Sequence, residues 1–205
     1  MNDKGIKDGI RRRVESLPDD SAFTATDFAD IADSDSIRRA FKEMADAGQI
    51  ARAARGVYYK PRFSDLLGRT VPPDVDAIAE AVARARGWTI APSGDHALNR
   101  MGLDTQVPAV YAYISTGPYT SISVEPFEVK FKHAANKDLV GMSHSTLLVV
   151  QALKALGKDR VDDDVVARIA KRLSSDEKKT LFDETQRSTD WIRRAARRIA
   201  EGEPK

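Results

Sequence analysis

The sequence predicts an α+β fold, and three observations carry that reading. Apolar residues recur at helical spacing through the first 50 residues and again from Ser145 onward. Between them, Ala109–Ser115, Thr120–Val124 and Phe127–Lys132 read as strands, separated by Gly117-Pro118 and Pro126. Composition agrees: in 205 residues, 41% are hydrophobic and 31% charged, which suits a folded chain and argues against a disordered one.

The elements follow in order. Ile6, Ile10, Val14 and Leu17 mark a first helix, stopped by Pro18. A short second helix starts at Thr24, with Asp27 three residues on in a capping-box arrangement, and buries Phe28 and Ile31. In the third helix Ser34 or Asp35 is the cap, and Ile37, Ala40, Phe41, Met44 and Ala45 form one apolar face. Gly48 stands where a helix takes a left-handed terminal residue. Ile50–Ala53 and Val57–Lys60 then read as short strands, and Gly56 supplies the positive φ of the turn between them. Helix, short helix, helix, hairpin is the order of a winged helix-turn-helix, placed at residues 1–62.

Residues 63–74, with two prolines and a glycine, read as a linker. The rest, 75–205, reads as a mixed α/β domain with a small antiparallel sheet and several helices. Val75, Ile78, Ala79 and Val82 define a helix capped by Asp74 and closed by Gly87. Trp88–Ala91 is a candidate strand, and Gly94–Met101 a short helix. Helices follow at Ser145–Leu156, Asp163–Leu173, Asp176–Thr185 and Asp190–Glu201.

Several classes are excluded or disfavoured. There is no cysteine, hence no disulfide, thiolate metal site or cysteine nucleophile. The N-terminal segment lacks the apolar core of a signal peptide, and Leu147–Leu156 falls short of the roughly 20 residues that span a bilayer. The expectation is a cytoplasmic protein without membrane contact. His96, His133 and His144 lack the close spacing of a metal pair, and Asp162-Asp163-Asp164 reads as a helix start before a cation site. With no Gly-rich phosphate loop and no nucleophile elbow, the motifs point to no catalytic residue, metal or cofactor.

What remains is charge. The whole chain nets only +2, but residues 18–35 hold six acidic residues and no basic one, whereas 36–62 hold seven basic against two acidic. Arg38, Arg39 and Lys42 lie opposite the apolar face of the third helix, which in a helix-turn-helix enters the major groove. Arginine reads guanine through two parallel bonds, and Ser36 near the helix start is placed to meet a phosphate. Arg52, Arg55, Lys60 and Arg62 on and beyond the hairpin suit phosphates or the minor groove. A solvated helix face is the plainer alternative. A second basic surface is offered by Lys130 and Lys132 on one strand face, with His133 and Lys137 after it, and by Arg193, Arg194, Arg197 and Arg198 on the last helix. That helix equally reads as a soluble element with a charged outer side.

Several motifs also resemble those of AbiEi-type antitoxins. They are Ser93-Gly94 with Ala97, Met101-Gly102-Leu103, Gln106-Val107-Pro108 and Ser115-Thr116-Gly117, then Glu128–Lys132. Gly48-Gln49-Ile50 and Arg55-Gly56-Val57-Tyr58-Tyr59 are similar to the wing of that family. The resemblance covers about residues 5–140. It implies an N-terminal winged helix that binds operator DNA and represses its own operon. It further implies a C-terminal domain that counters a nucleotidyltransferase-like toxin without a stable complex, the type IV arrangement of abortive-infection, phage-defence systems. The alternative expectation is a DNA-binding regulator whose second domain senses a ligand or binds another partner. A nucleic-acid enzyme would need clustered acidic residues in that domain. No dimerisation helix is evident, so the sequence assigns no oligomeric state.

Overall fold

The computed structural model describes residues 3–64, 68–71, 74–135 and 139–202. The chain is a mixture of helices and small sheets, and its packing divides it into two compact units: 1–88 with 122–126, and 89–121 with 127–205.

In the first unit, α1 (Asp3–Ser16) is followed by β1 (Ala22–Thr24) and a 3-10 turn at Ala25–Phe28. The Thr24 amide and hydroxyl both donate to Asp27 Oδ2, at 2.8 and 3.2 Å, which starts the turn at the residue the pattern indicates. Next comes α2 (Ser34–Asp46). Its cap is Asp33, one residue ahead of Ser34, and its carboxylate accepts from the Asp35 and Ser36 amides. A hairpin follows, β2 (Ala51–Ala54) and β3 (Val57–Tyr59), with Gly56 at φ +78° in the turn. β3 is the middle strand of an antiparallel sheet in the order β1-β3-β2. The register shifts between Arg52 and Ala54, so β2 carries an extra residue that twists the strand just before Arg55.

The core of this unit joins α1, α2 and the sheet through Ile10, Val14, Ile37, Met44 and Ile50. At its centre the rings of Phe23, Phe28 and Phe41 meet edge to face with centroids 5.1–5.5 Å apart, the geometry that the aromatic quadrupole favours.

The stretch expected to be a linker contains a two-stranded antiparallel hairpin, β4 (Arg62–Ser64) with β5 (Arg69–Val71); residues 65–67 and 72–73 lie outside the described set. The next helix, α3 (Val75–Arg86), is capped by Asp74 and closed by Gly87 as its sequence predicts. The sequence puts it at the head of the second domain, yet it packs with the first unit. Arg84 pairs with Asp27 at 3.3 Å and donates to the Ala22 carbonyl at 3.0 Å.

The second unit opens with β6 (Ile90–Pro92), α4 (Asp95–Arg100) and β7 (Val110–Ser115). β9 (Phe127–His133) and β8 (Thr120–Val124), whose residues 122–124 group with the first unit, complete a four-stranded sheet in the order β6-β7-β9-β8. The expected antiparallel sheet needs correcting: β6 pairs antiparallel with β7, but β7 and β9 are parallel, from Val110↔Glu128 to Ser115↔His133. The reason is the short turn after β8. It folds β9 back between β7 and β8, so β9 runs in the direction of β7.

Four helices follow, α5 (His144–Leu156), α6 (Asp163–Arg172), α7 (Ser175–Glu184) and α8 (Asp190–Glu201). With α4 they enclose a core that includes Leu98, Val149, Leu153, Ile169, Leu181 and Ile199. No helix among the described residues is long and apolar enough to cross a membrane.

Candidate nucleic-acid interface

The apolar face of α2 is pinned by the aromatic cluster, and the opposite face is left to solvent. Arg38, Arg39 and Lys42 are all exposed there. Arg38 lies 3.0 Å from Asp35 Oδ1, but both side chains are about two-thirds or more exposed, so the pair is weak and exchangeable. Arg39 donates to the Asp35 carbonyl at 3.4 Å. Lys42 makes no ion pair among the described residues.

The hairpin carries Arg52, whose Nε donates to the Ala54 carbonyl at 3.2 Å, and Arg55 at the exposed turn. One groove of about 1130 Å³ is lined by Arg38, Lys42, Arg52 and Arg55 over Phe41 and Tyr58. It is also lined by Arg86 of α3, which the sequence does not single out; the only local signal is its position off the buried face of that helix. Asp46 is an acidic member of the lining.

Three of the sequence candidates are engaged by partners within the first unit. The Ser36 hydroxyl donates to Asp33 Oδ2 at 2.7 Å. A carboxylate therefore occupies the helix start where a phosphate was expected. The Ser36 amide, then its hydroxyl, hold the Asp33 carboxyl below its ordinary pKa. Lys60 donates to the carbonyls of Glu15 and Leu17, at 3.2 and 3.0 Å, and pairs with Asp19. It thus fastens the end of α1. Arg62 pairs with Asp20 at 3.1 Å.

The second basic surface is largely matched by acidic partners. Lys130 and Lys132 share a face of β9, and Lys130 sits 3.0 Å from Glu128, which raises its pKa. On α8, Arg193 and Arg194 both reach Asp190 at 2.7 Å, Arg197 reaches Glu201 at 2.8 Å, and Arg198 pairs with Asp163. Lys137 lies outside the described residues.

The remaining residues behave as parts of the scaffold. His96 is buried, with its ring centroid 4.9 Å from those of Tyr111 and Tyr113. Asp162 caps α6 by accepting from the Val165 amide. Among the described residues no three His, Asp or Glu side chains converge as a metal ion requires. The Ser93–Gly117 motifs fall on turns, caps and buried positions of α4 and β7. Gly94 caps α4, the Gly102 carbonyl accepts from Arg168, and Ser115 Oγ accepts from the Gly117 amide.

Fold and surface together define an α+β protein whose first unit carries an exposed basic face on a helix and its adjacent hairpin. The chain belongs to DUF6088, a family of unknown function, whose model matches residues 9–181. A comparison with curated proteins finds no match.

Proposed function

We propose that the protein is an AbiEi-like antitoxin that binds the operator of its own operon and represses it. In this reading residues 1–62 form a winged helix-turn-helix, with α2 as recognition helix and the β2–β3 hairpin as wing. The observation that carries it is the exposed cationic face of Arg38, Arg39 and Lys42 beside Arg52 and Arg55. Arginines on α2 read base edges, and the hairpin cations hold phosphates, so position and sequence are set by different elements.

The second unit, without catalytic activity of its own, counters a nucleotidyltransferase-like toxin and forms no stable complex with it. This half rests on the ordered Ser93–Gly117 motifs. Their structural tasks make them marks of a family rather than a binding site.

A second reading, a DNA-binding regulator that senses a ligand, is favoured by one observation. A pocket of about 620 Å³ in the second unit brings Lys154, Arg187, Ser188 and Thr189 against Val150 and Ile192. The neighbouring gene separates the two, since an antitoxin requires an adjacent nucleotidyltransferase-like gene.

The proposal is tested in cells carrying a reporter driven by the DNA upstream of the gene. Replacing Arg38, Arg39 and Lys42 together with alanine should release repression while the variant still rescues growth from the toxin. Full repression by that variant would overturn the recognition-helix assignment.

A further inference from the structure

We infer that the DNA footprint extends beyond helix and hairpin onto α3, where Arg86 binds a backbone phosphate; this rests on the DNA-binding reading above. The last turn of α3 contains two arginines, Arg84 and Arg86. Residues two apart on a helix point about 200° away from each other, so the two side chains have different tasks. Arg84, about half exposed, reaches Asp27 Oδ1 and the Ala22 carbonyl. It is a structural tie that locks α3 to β1.

Arg86 is exposed and lines the same groove as Arg38, Lys42, Arg52 and Arg55. Its guanidinium carbon lies 4.7 Å from the centroid of the Trp88 ring. Stacking on that ring restricts the long side chain and leaves the planar donor set able to take a phosphate oxygen. Five cations from three elements thus line one groove, against Asp46 in its wall and the exposed Asp35 beside Arg38. This surplus is complementary to a sugar–phosphate strand.

The interaction is sequence-independent, because phosphate bonds fix register without reading bases. In this geometry α3 is the third wall of the interface.

The test is a fluorescence-anisotropy titration of the full chain against a labelled duplex from upstream of its gene and an unrelated duplex, from 50 to 300 mM salt. Removing one cation that neutralises a phosphate should reduce the slope of log affinity against log salt by about 0.9. Arg86→Ala should show that reduction on both duplexes, with affinity falling roughly three- to tenfold. Arg86→Lys should keep most of the slope. Arg84→Ala should lower the melting temperature and leave the slope as in the wild type.

If Arg52→Ala reduces the slope and Arg86→Ala does not, α3 is no part of the footprint and the inference falls alone. If the wild type binds neither duplex at 50 mM salt, the DNA-binding reading falls with it. Tighter binding to single-stranded RNA of the same sequence than to duplex would also overturn the assignment.

Discussion

Asp33 and Lys60 show how single residues set the limits of the interface. Asp33 caps α2 through two amides and the Ser36 hydroxyl, which lowers its pKa. The folded value lies below the unfolded one, about 3.9. Its stabilisation is therefore whole above that pH and is lost as the pH falls through the folded value. Asp33→Ala should lower the melting temperature at pH 7 and flatten the acid limb of stability, whereas Asp33→Asn should retain most of the cap; melting curves from pH 7 to 3 measure both. Lys60 ties two carbonyls at the end of α1. Lys60→Ala should cost about 1–2 kcal/mol in urea unfolding, because the bonds are charge-assisted but the side chain is partly exposed. Its effect on DNA affinity should be small beside that of Lys42→Ala, since Lys42 lies in the groove.

At the scale of elements, α2 is held by Phe41, whose ring meets Phe23, Phe28 and Tyr58 with centroids 5.1–5.4 Å apart. Phe41→Ala should destabilise the first unit by about 3–5 kcal/mol, read from denaturant unfolding, and Phe41→Leu by clearly less. Elements like α2 are legible in the sequence because a 3.6-residue apolar period is a local signal. For the same reason α3 and α5–α8 lie within one residue of their predicted bounds. The Ala22–Thr24 strand is not legible: three residues are too few for an alternation, and pairing with β3 alone makes it a strand. The parallel pairing of β7 and β9 is likewise a choice between partners distant in sequence. The candidate site divides in the same way. Arg38, Arg39, Lys42, Arg52 and Arg55 follow from helical spacing and a tight turn. The acidic partners of Lys60 and Arg62 are about 40 residues away, at Asp19 and Asp20, beyond any local pattern. Arg86 is equally hidden from a local reading, because its groove forms only when α3 packs on β1.

For the whole molecule, net charge is a poor guide and its distribution a better one. Six acidic residues at 18–35 precede the basic segment 36–62, and in the fold four of them neutralise Arg13, Lys60, Arg62 and Arg84. In the first unit, Arg38, Lys42, Arg52, Arg55 and Arg86 line the groove outside these four pairs, Arg38 with the exposed Asp35 beside it. On α8, by contrast, Asp190, Glu201 and Asp163 offset most of the charge of four arginines. DNA binding therefore belongs to the first unit in the proposed function, and α8 keeps a solvated outer face whose charge is largely offset by neighbouring carboxylates. Replacing Arg193, Arg194 and Arg197 together with glutamine should leave operator affinity within about twofold of wild type. DNA binding by the exposed face of α2 is the step on which the proposed function turns. Its most direct test is a mobility-shift titration of the full chain on the duplex upstream of its gene at about 150 mM salt. Wild type is compared with the Arg38, Arg39, Lys42 triple-alanine variant, after circular dichroism shows both folded. A specific shift is expected for the wild type, and its loss in the variant; equal binding by the two would contradict the claim.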